Sequence, residues 1–444
     1  MNMSRRALLG SMAGSMAGAT TGALHGMAAP PNIVLIMADD MGSADLSIEG
    51  ATDIRTPHID SIGKQGVRFT RAYCNAPECT PSRTALLTGR YQQRVGGLEC
   101  AIGVGNVGRY DDAEWLAARG ELGLPPSEPS IAQLLKQRGY DTACIGKWHL
   151  GYLDKFSANR HGFDEFFGIL GGNADYFTHR EEDGANVLRH NGKTVEVDGY
   201  LTDLIGDRSA QWLAKRGNKP FFLYVPFTAP HSPYQSLKHR TFSNKGDRAI
   251  YAQMVESMDA NVGKVLAAIE KRNAAANTWV IFLSDNGGTQ VGSNNPLRGG
   301  KSSMWEGGVR TPCLMRWPGV FRAGSQTSQV SLMMDITASI LHAAGAKLPK
   351  LDGMNLLPEW QGKQAVKPRT VFWRYRRATN NRKAVLDGDW KLVNDSGKEE
   401  LHNLAEDMQE RNDQLAAQPA IAASLRKRLA EWEMDVRAPR LANR

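Results

Sequence analysis

The stretch Asn32–Ala38, NIVLIMA, followed at once by Asp39 and Asp40, decides the fold class. It is a short apolar run without polar alternation, the pattern of a strand covered on both faces inside a parallel sheet. Three more segments read the same way: Tyr140–Ile145, Pro220–Phe227 (PFFLYVPF) and Trp279–Ser284 (WVIFLS), the last ending at Asp285 and Asn286. Helical patterns lie between them. Ser130–Tyr140 starts with a capping Ser130, carries Ile131, Leu134 and Leu135 on one stripe, and stops at Gly139. Ile250–Lys271 places Met254, Met258, Val262, Val265 and Ile269 three or four residues apart. Strands alternating with helices predict an α/β fold with a mostly parallel central sheet flanked by helices on both faces.

The pattern changes after about residue 347. Val371–Tyr375, Ala384–Leu386, Trp390–Val393 and Glu400–Leu404 are short strand-like pieces between polar turns. A last helix carries Ile421, Leu425, Leu429, Trp432 and Val436 on one face. These predict a small C-terminal antiparallel sheet plus helix. The expected organisation is a leader over 1–31, a catalytic domain over 32–347 and a C-terminal subdomain over 348–444.

With 444 residues, 41% of them hydrophobic and 23% charged, the chain has globular composition, which excludes disordered, collagen-like and coiled-coil classes. The net charge of +8 is spread out, and the one basic stretch is Arg374–Arg382 (RYRRATNNR). No nucleic-acid partner is expected from that pattern, and an anionic substrate suits it better. The first residues place Arg5 and Arg6 before a run of small and apolar residues from Ala7 to Leu24, with Ala28 and Ala29 before Pro30. SRRALL resembles a twin-arginine export signal, so a periplasmic or secreted location is expected. No later stretch approaches a membrane span, and none is expected in the mature chain. Five cysteines (74, 79, 100, 144 and 313) are too few for a disulfide scaffold, and the odd number leaves at least one without an intramolecular partner.

In an open α/β sheet, ligands sit beyond the carboxyl ends of the strands. Asp39–Asp40 and Asp285–Asn286 both fall there. Either pair alone reads as a turn or a helix cap. Together they bring three carboxylates and an amide to one place, where they repel unless a cation neutralises them. Oxygen donors without His or Cys point to Ca²⁺ or Mg²⁺ rather than zinc. Glu78–Arg90 reads ECTPSRTALLTGR. Thr80 or Ser82 is expected to cap a helix containing Thr84 to Leu87. Cys79 then falls at or just before the helix start, where the dipole lowers a thiol pKa. The bland alternative is a buried structural cysteine.

The segment C-T-P-S-R-T-A-L-L-T-G-R resembles the signature of the type I, formylglycine-dependent sulfatases, C-x-P-S-R followed by x-x-L-L-T-G-R. NIVLIMADDMG, TPHIDSIGKQGVRF, GYDTACIGKWHLG, FFLYVPFTAPHSPY, VIFLSDNGG, LRGGKSSMWEGGVRTPCLMRWPG and ELHNL also resemble blocks of that family, in its order. The resemblance implies an alkaline-phosphatase-like fold and a sulfuric ester hydrolase acting on a sulfated carbohydrate or aryl sulfate. The alternative it leaves is a phosphonate monoester or phosphodiester hydrolase on the same scaffold. It implies that Asp39, Asp40, Asp285 and Asn286 hold one divalent cation, usually Ca²⁺, with Mg²⁺ possible. Cys79, oxidised to formylglycine by a separate maturation enzyme, is implied as nucleophile and further metal ligand. Arg83 orients it. Lys147 and His149 bind sulfate and the formylglycine hydroxyl, His231 faces the leaving oxygen, and Lys301 holds another sulfate oxygen.

The chemistry accounts for these residue types. A thiol attacking sulfur would leave an adduct with no easy exit. An aldehyde hydrate has two hydroxyls, one to attack sulfur and one whose deprotonation expels sulfate and restores the aldehyde. A sugar alkoxide is a poor leaving group unless protonated, and His231 is the expected acid. The intact Cys79, Arg83 and acidic set argue against a relative that binds glycans without turnover. His58 reads as packing at a helix start. Gly103–Gly108 matches G-x-G-x-x-G but follows no clear strand, so it is not read as a nucleotide site. Substrate choice is expected from Glu99–Tyr110, Trp148, Asn173–Arg180 and Trp305–Glu306. Trp148, Tyr176 and Trp305 either stack on a substrate ring or belong to the core.

Overall fold

The computed structural model describes residues 29–103 and 110–442. Residues 1–28 of the leader and residues 104–108 of the glycine motif lie outside the described residues. A ten-stranded sheet forms the centre of the molecule. Its middle five strands, in spatial order Thr278–Ser284, Asn32–Ala38, Phe221–Pro226, Asp141–Ile145 and Glu165–Ile169, are all parallel. Antiparallel pairings occur toward both edges, with Cys313–Arg316 on one side and Leu188–His190 on the other.

Both faces of Asn32–Ala38 are apolar because both are covered. Ile33, Leu35 and Met37 join a core shared with Leu86, Leu135 and Ile340. Those residues come from the helices Cys79–Thr88, Ile131–Lys136 and Met333–Ala343. Val34, Ile36 and Ala38 face the opposite core, built with Ile59, Ile205, Met258 and Val262. These lie on Pro57–Lys64, Leu201–Ala214 and Arg248–Lys271. The expected α/β architecture is therefore the observed one. Ser130 caps its helix as the sequence predicts, accepting from the Gln133 amide while the Gln133 side chain accepts from Ser130.

Pro57–Lys64 has no cap of its own; Asp259 of the long helix supplies one. Its carboxylate accepts from the Ile59 amide at 2.7 Å and from the His58 amide at 3.3 Å. Asp259→Ala is expected to lower unfolding free energy by about 1–2 kcal/mol, read from urea denaturation.

The four strands Thr370–Arg377, Asn380–Asp387, Trp390–Asp395 and Lys398–Asn403 form an antiparallel sheet in that order. The tight turn at Ser396–Gly397 has both residues at positive φ, the hairpin geometry that matches strand twist. Pro419–Asp435 packs on this sheet through Leu425, Leu429 and Trp432, with Trp432 stacked on Phe372 at 5.3 Å. Val371, Trp373 and Tyr375 belong to the same continuous core as the central sheet. The basic stretch beginning at Arg374 is largely paired inside the molecule: Arg374 with Glu99, Arg376 with Asp111 and Asp112, and Arg377 with Glu78. Among the described residues, no helix is long and apolar enough to cross a membrane.

Candidate active site

Parallel pairing builds the centre of the site. Ala38 and Ser284 are register partners, so Asp39–Asp40 and Asp285–Asn286 leave adjacent strands side by side. The Asp40 amide donates to Asp285 Oδ1 at 3.1 Å, and Asn286 Nδ2 donates to Asp40 Oδ1 at 2.8 Å. Asp40 sits at φ 63°, a conformation costly for a residue with a Cβ and held here by its surroundings. All four side chains are buried.

Three cations meet three acids. Lys147 Nζ lies 2.5 Å from Asp39 Oδ2, and Lys301 Nζ lies 2.7 Å from Asp40 Oδ2. Arg83 donates to Asp285 Oδ2 through Nε at 3.0 Å and Nη2 at 2.7 Å, and to the Lys147 carbonyl through Nη1 at 3.0 Å. Burial alone would raise Asp40, but the Lys301 ammonium beside it holds its carboxyl well below the ordinary range. Burial, then the Asp39 charge, push Asp285 up to about 6 against the pull of Arg83. That repulsion marks a group of carboxylates too close together for comfort without further positive charge. Asn286 Oδ1 is buried with no hydrogen-bond partner. An orphaned amide oxygen among three converging carboxylates fits a hard divalent cation. Asp39, Asp40, Cys79 and His231 each offer a ligand atom within 4.8 Å of one another, so Cys79 also stands within reach of such an ion.

Cys79 opens the helix Cys79–Thr88. The expectation of a Thr80 or Ser82 cap is corrected: Glu78 is the N-cap residue, without a side-chain cap bond, and both hydroxyl residues lie inside the helix. Their hydroxyls serve other segments, Thr80 donating to the His149 carbonyl and Ser82 to the Ala76 carbonyl. The expectation of a lowered thiol pKa is corrected as well. Burial and then the Asp39 charge push the Cys79 thiol well above its usual value, outweighing Lys147 and Lys301. Its Sγ sits 3.3 Å from Asp39 Oδ1 and 4.0 Å from Lys301 Nζ.

The remaining expected residues arrive on loops after parallel strands. Lys147 and His149 follow Asp141–Ile145, and His231 follows Phe221–Pro226. His149 Nε2 is 2.5 Å from the Ile102 carbonyl, and its Nδ1 is buried without a partner. Burial, then Lys147, push His149 well below the usual imidazole range. His231 Nδ1 contacts the Ser232 carbonyl at 2.6 Å, and its Nε2 lies 3.1 Å from Lys301 Nζ and 3.4 Å from Asp40 Oδ2. Burial and Lys301 push His231 down to about 3. That direction favours an Nε2 able to accept from the Lys301 ammonium. His231, the acid expected from the sequence, thus stands in direct contact with Lys301.

A cavity of about 670 Å³ opens over this group, with Cys79, His149, His231 and Lys301 in its lining. Trp148, Tyr176 and Trp305, open from the sequence to either a stacking or a core role, do not line it. Trp148 is buried and donates to the Phe156 carbonyl. Tyr176 is buried and donates to the carbonyl of His231, bracing that loop. Trp305 is covered by Arg298 at 3.6 Å. His58 is exposed at the start of Pro57–Lys64, its ring lying over Gly263.

Sequence reasoning passed over Glu78. It is fully buried and accepts from the Ala101 amide, Ser302 Oγ, Tyr375 Oη and Arg377 Nη1. Those partners come from three distant segments, so no local signal marks it. The glutamate next to Cys79 thereby ties the helix start to the Lys301 loop and to the C-terminal sheet.

The model for the family described as "Sulfatase" matches residues 31–346, and one described as "N-sulphoglucosamine sulphohydrolase, C-terminal" matches residues 300–435. The chain is 34% identical to N-acetylgalactosamine-6-sulfatase of Mus musculus, over 82% of this chain and 72% of that protein. It is 33% identical to steryl-sulfatase of Mus musculus, over 75% of this chain and 65% of that protein. Among solved structures, Ps i-CgsB, crystallised also with k-i-k-neocarrahexaose, matches with a TM-score of 0.82 and 32% identity. That match covers 92% of this chain and 94% of the other. The chain is an enzyme of the sulfatase family.

Proposed function

We propose that the chain hydrolyses sulfate esters of carbohydrates, using a formylglycine made from Cys79 as nucleophile. The observation that carries this reading is the position of Cys79 at the head of its helix, on the cavity floor, between Asp39 and Lys301. The carbohydrate part rests on relatives whose names specify N-acetylgalactosamine 6-sulfate and on a neighbour crystallised with a neocarrahexaose. A hydrated aldehyde at residue 79 supplies one hydroxyl to attack sulfur and a second whose proton loss releases sulfate. Lys147, Lys301 and His149 hold the sulfuryl oxygens, and Arg83 fixes the helix turn beneath residue 79 through Asp285 and the Lys147 carbonyl. The His231–Lys301 pair delivers the proton to the departing sugar oxygen.

Asp39, Asp40, Asp285 and Asn286 would hold a divalent cation, Ca²⁺ or Mg²⁺ by the oxygen donor set, which would add positive charge where sulfuryl oxygens collect. Chelation is expected to lower the thermal midpoint by several degrees, and added Ca²⁺ to restore it, because an ion bound to the folded state alone stabilises it. An unchanged midpoint would count against the ion. Matured protein is assayed for sulfate release from sulfated sugars and 4-nitrophenyl sulfate, beside a phosphodiester and a phosphonate monoester. Faster turnover of the phosphorus esters would favour the alternative activity.

Export and maturation belong to the same reading. A formylglycine-generating enzyme acts on Cys79, and residues 1–31 direct the chain to the periplasm or beyond. Replacing Arg5 and Arg6 by Lys is expected to leave the protein in the cytoplasm, checked by cell fractionation.

A further inference from the structure

Glu181, Glu182 and Asp183, from the turn Glu181–Gly184, form part of the cavity lining. Tyr152 Oη donates to Glu181 Oε1 at 2.9 Å. The turn closes through the Gly184 amide on the Glu181 carbonyl at 2.9 Å, with Gly184 at φ 83°. Beneath it run two consecutive glycines. A Cβ at Gly171 would stand 1.8 Å from Glu181 Oε1, and one at Gly172 would stand 2.9 Å from His149 Nε2. The Glu181 carboxylate and the His149 ring thus pack against two consecutive glycines, where any side chain would clash. Glu181 lines the same cavity as His149 and Lys301.

The charges in the lining are asymmetric. Lys301 is paired with Asp40, and Arg377 with the buried Glu78. Elsewhere in the lining Glu181 takes its hydrogen bond from the Tyr152 hydroxyl, Glu182 from the Asn244 side-chain amide, and Asp183 from the Ala185 amide. Among the described residues, none of these three carboxylates is paired with a cation, and all three line the cavity. A carboxylate held by a neutral donor keeps acceptor capacity for the hydroxyls of a sugar, in short charge-assisted bonds. The same carboxylates repel a second sulfate or a uronate carboxylate.

We propose that Glu181 is a specificity-determining residue that accepts hydroxyl hydrogen bonds from a singly sulfated sugar, with Glu182 and Asp183 turning away substrates bearing a second anionic group. This rests on the sulfatase reading above and narrows its substrate class.

The test uses matured, Ca²⁺-loaded full-length protein on 4-nitrophenyl sulfate, on the positional isomers of a singly sulfated hexosamine, and on doubly sulfated counterparts. Wild type is expected to prefer a singly sulfated isomer over every doubly sulfated one by at least about tenfold in kcat/KM. Glu181→Ala is expected to lower the ratio of sugar to aryl kcat/KM by about tenfold to a hundredfold, mainly through KM, with Glu181→Gln losing less because it keeps an acceptor oxygen. The double change Glu182→Gln and Asp183→Asn is expected to raise relative turnover of doubly sulfated sugar. A preference for doubly sulfated sugar or a sugar-to-aryl ratio unmoved by Glu181→Ala overturns the assignment and leaves the proposed function standing, whereas aryl turnover with no sugar turnover overturns the assignment together with the carbohydrate part of that function. Wild-type protein that turns over no sulfate ester at all overturns both.

Discussion

Cys79→Ala is expected to abolish sulfate ester turnover, by on the order of 10⁴-fold or more, since losing a covalent nucleophile leaves only binding and electrostatic stabilisation. The substitution keeps the fold. Cys79 is buried, and its removal deletes one sulfur atom at the floor of an open cavity rather than a packed core side chain. A far-ultraviolet spectrum and melting curve close to wild type should accompany the loss. The complementary measurement is peptide mass spectrometry of active wild-type protein. The peptide spanning residue 79 is expected to carry the aldehyde in place of the thiol. Active protein with an intact thiol there, or Cys79→Ala protein that still turns over, would remove the basis of the mechanism.

Arg83→Ala is expected to cost both stability and activity. Arg83 and Asp285 are fully buried, joined by two hydrogen bonds, and Asp39 lies 3.7 Å from the same guanidinium. Removing one partner of such a buried pair leaves uncompensated charge and costs about 3–5 kcal/mol. Arg83→Lys separates the two effects. It keeps the charge but not the fork that reaches Asp285 and the Lys147 carbonyl together, so part of the stability should return without the activity. Urea denaturation and single-turnover rates on both variants check this, and a stable, fully active Arg83→Ala protein would contradict it.

The central strands and long helices were legible because burial on both faces leaves no room for polar residues. Asn32–Ala38 and Thr278–Ser284 are apolar at nearly every position for that reason. The convergence of Asp39, Asp40, Asp285 and Asn286 was legible for a related reason: parallel strands in register deliver whatever follows them to the same edge. What escaped notice depends on contacts between distant segments. The trans cap from Asp259, the pairing of Lys301 with His231, and the closure of Glu78 by Tyr375 and Arg377 join residues far apart in the chain. The thiol of Cys79 shows the same limit. Its place at a helix start was readable and implied a lowered pKa; the burial and the Asp39 carboxylate that reverse the shift were not.

The lock on Glu78 also sets a clock. Tyr375 is 297 residues downstream of Glu78, so the ribosome must add that stretch before the strand carrying it can close over the head of the helix. At about 5–20 residues per second that takes on the order of tens of seconds, during which the nascent segment around residue 79 stays open to a modifying enzyme. In a host without the maturation enzyme, chains stalled short of residue 370 should accordingly leave this thiol more reactive toward alkylating reagents than it is in released, unmodified full-length chains.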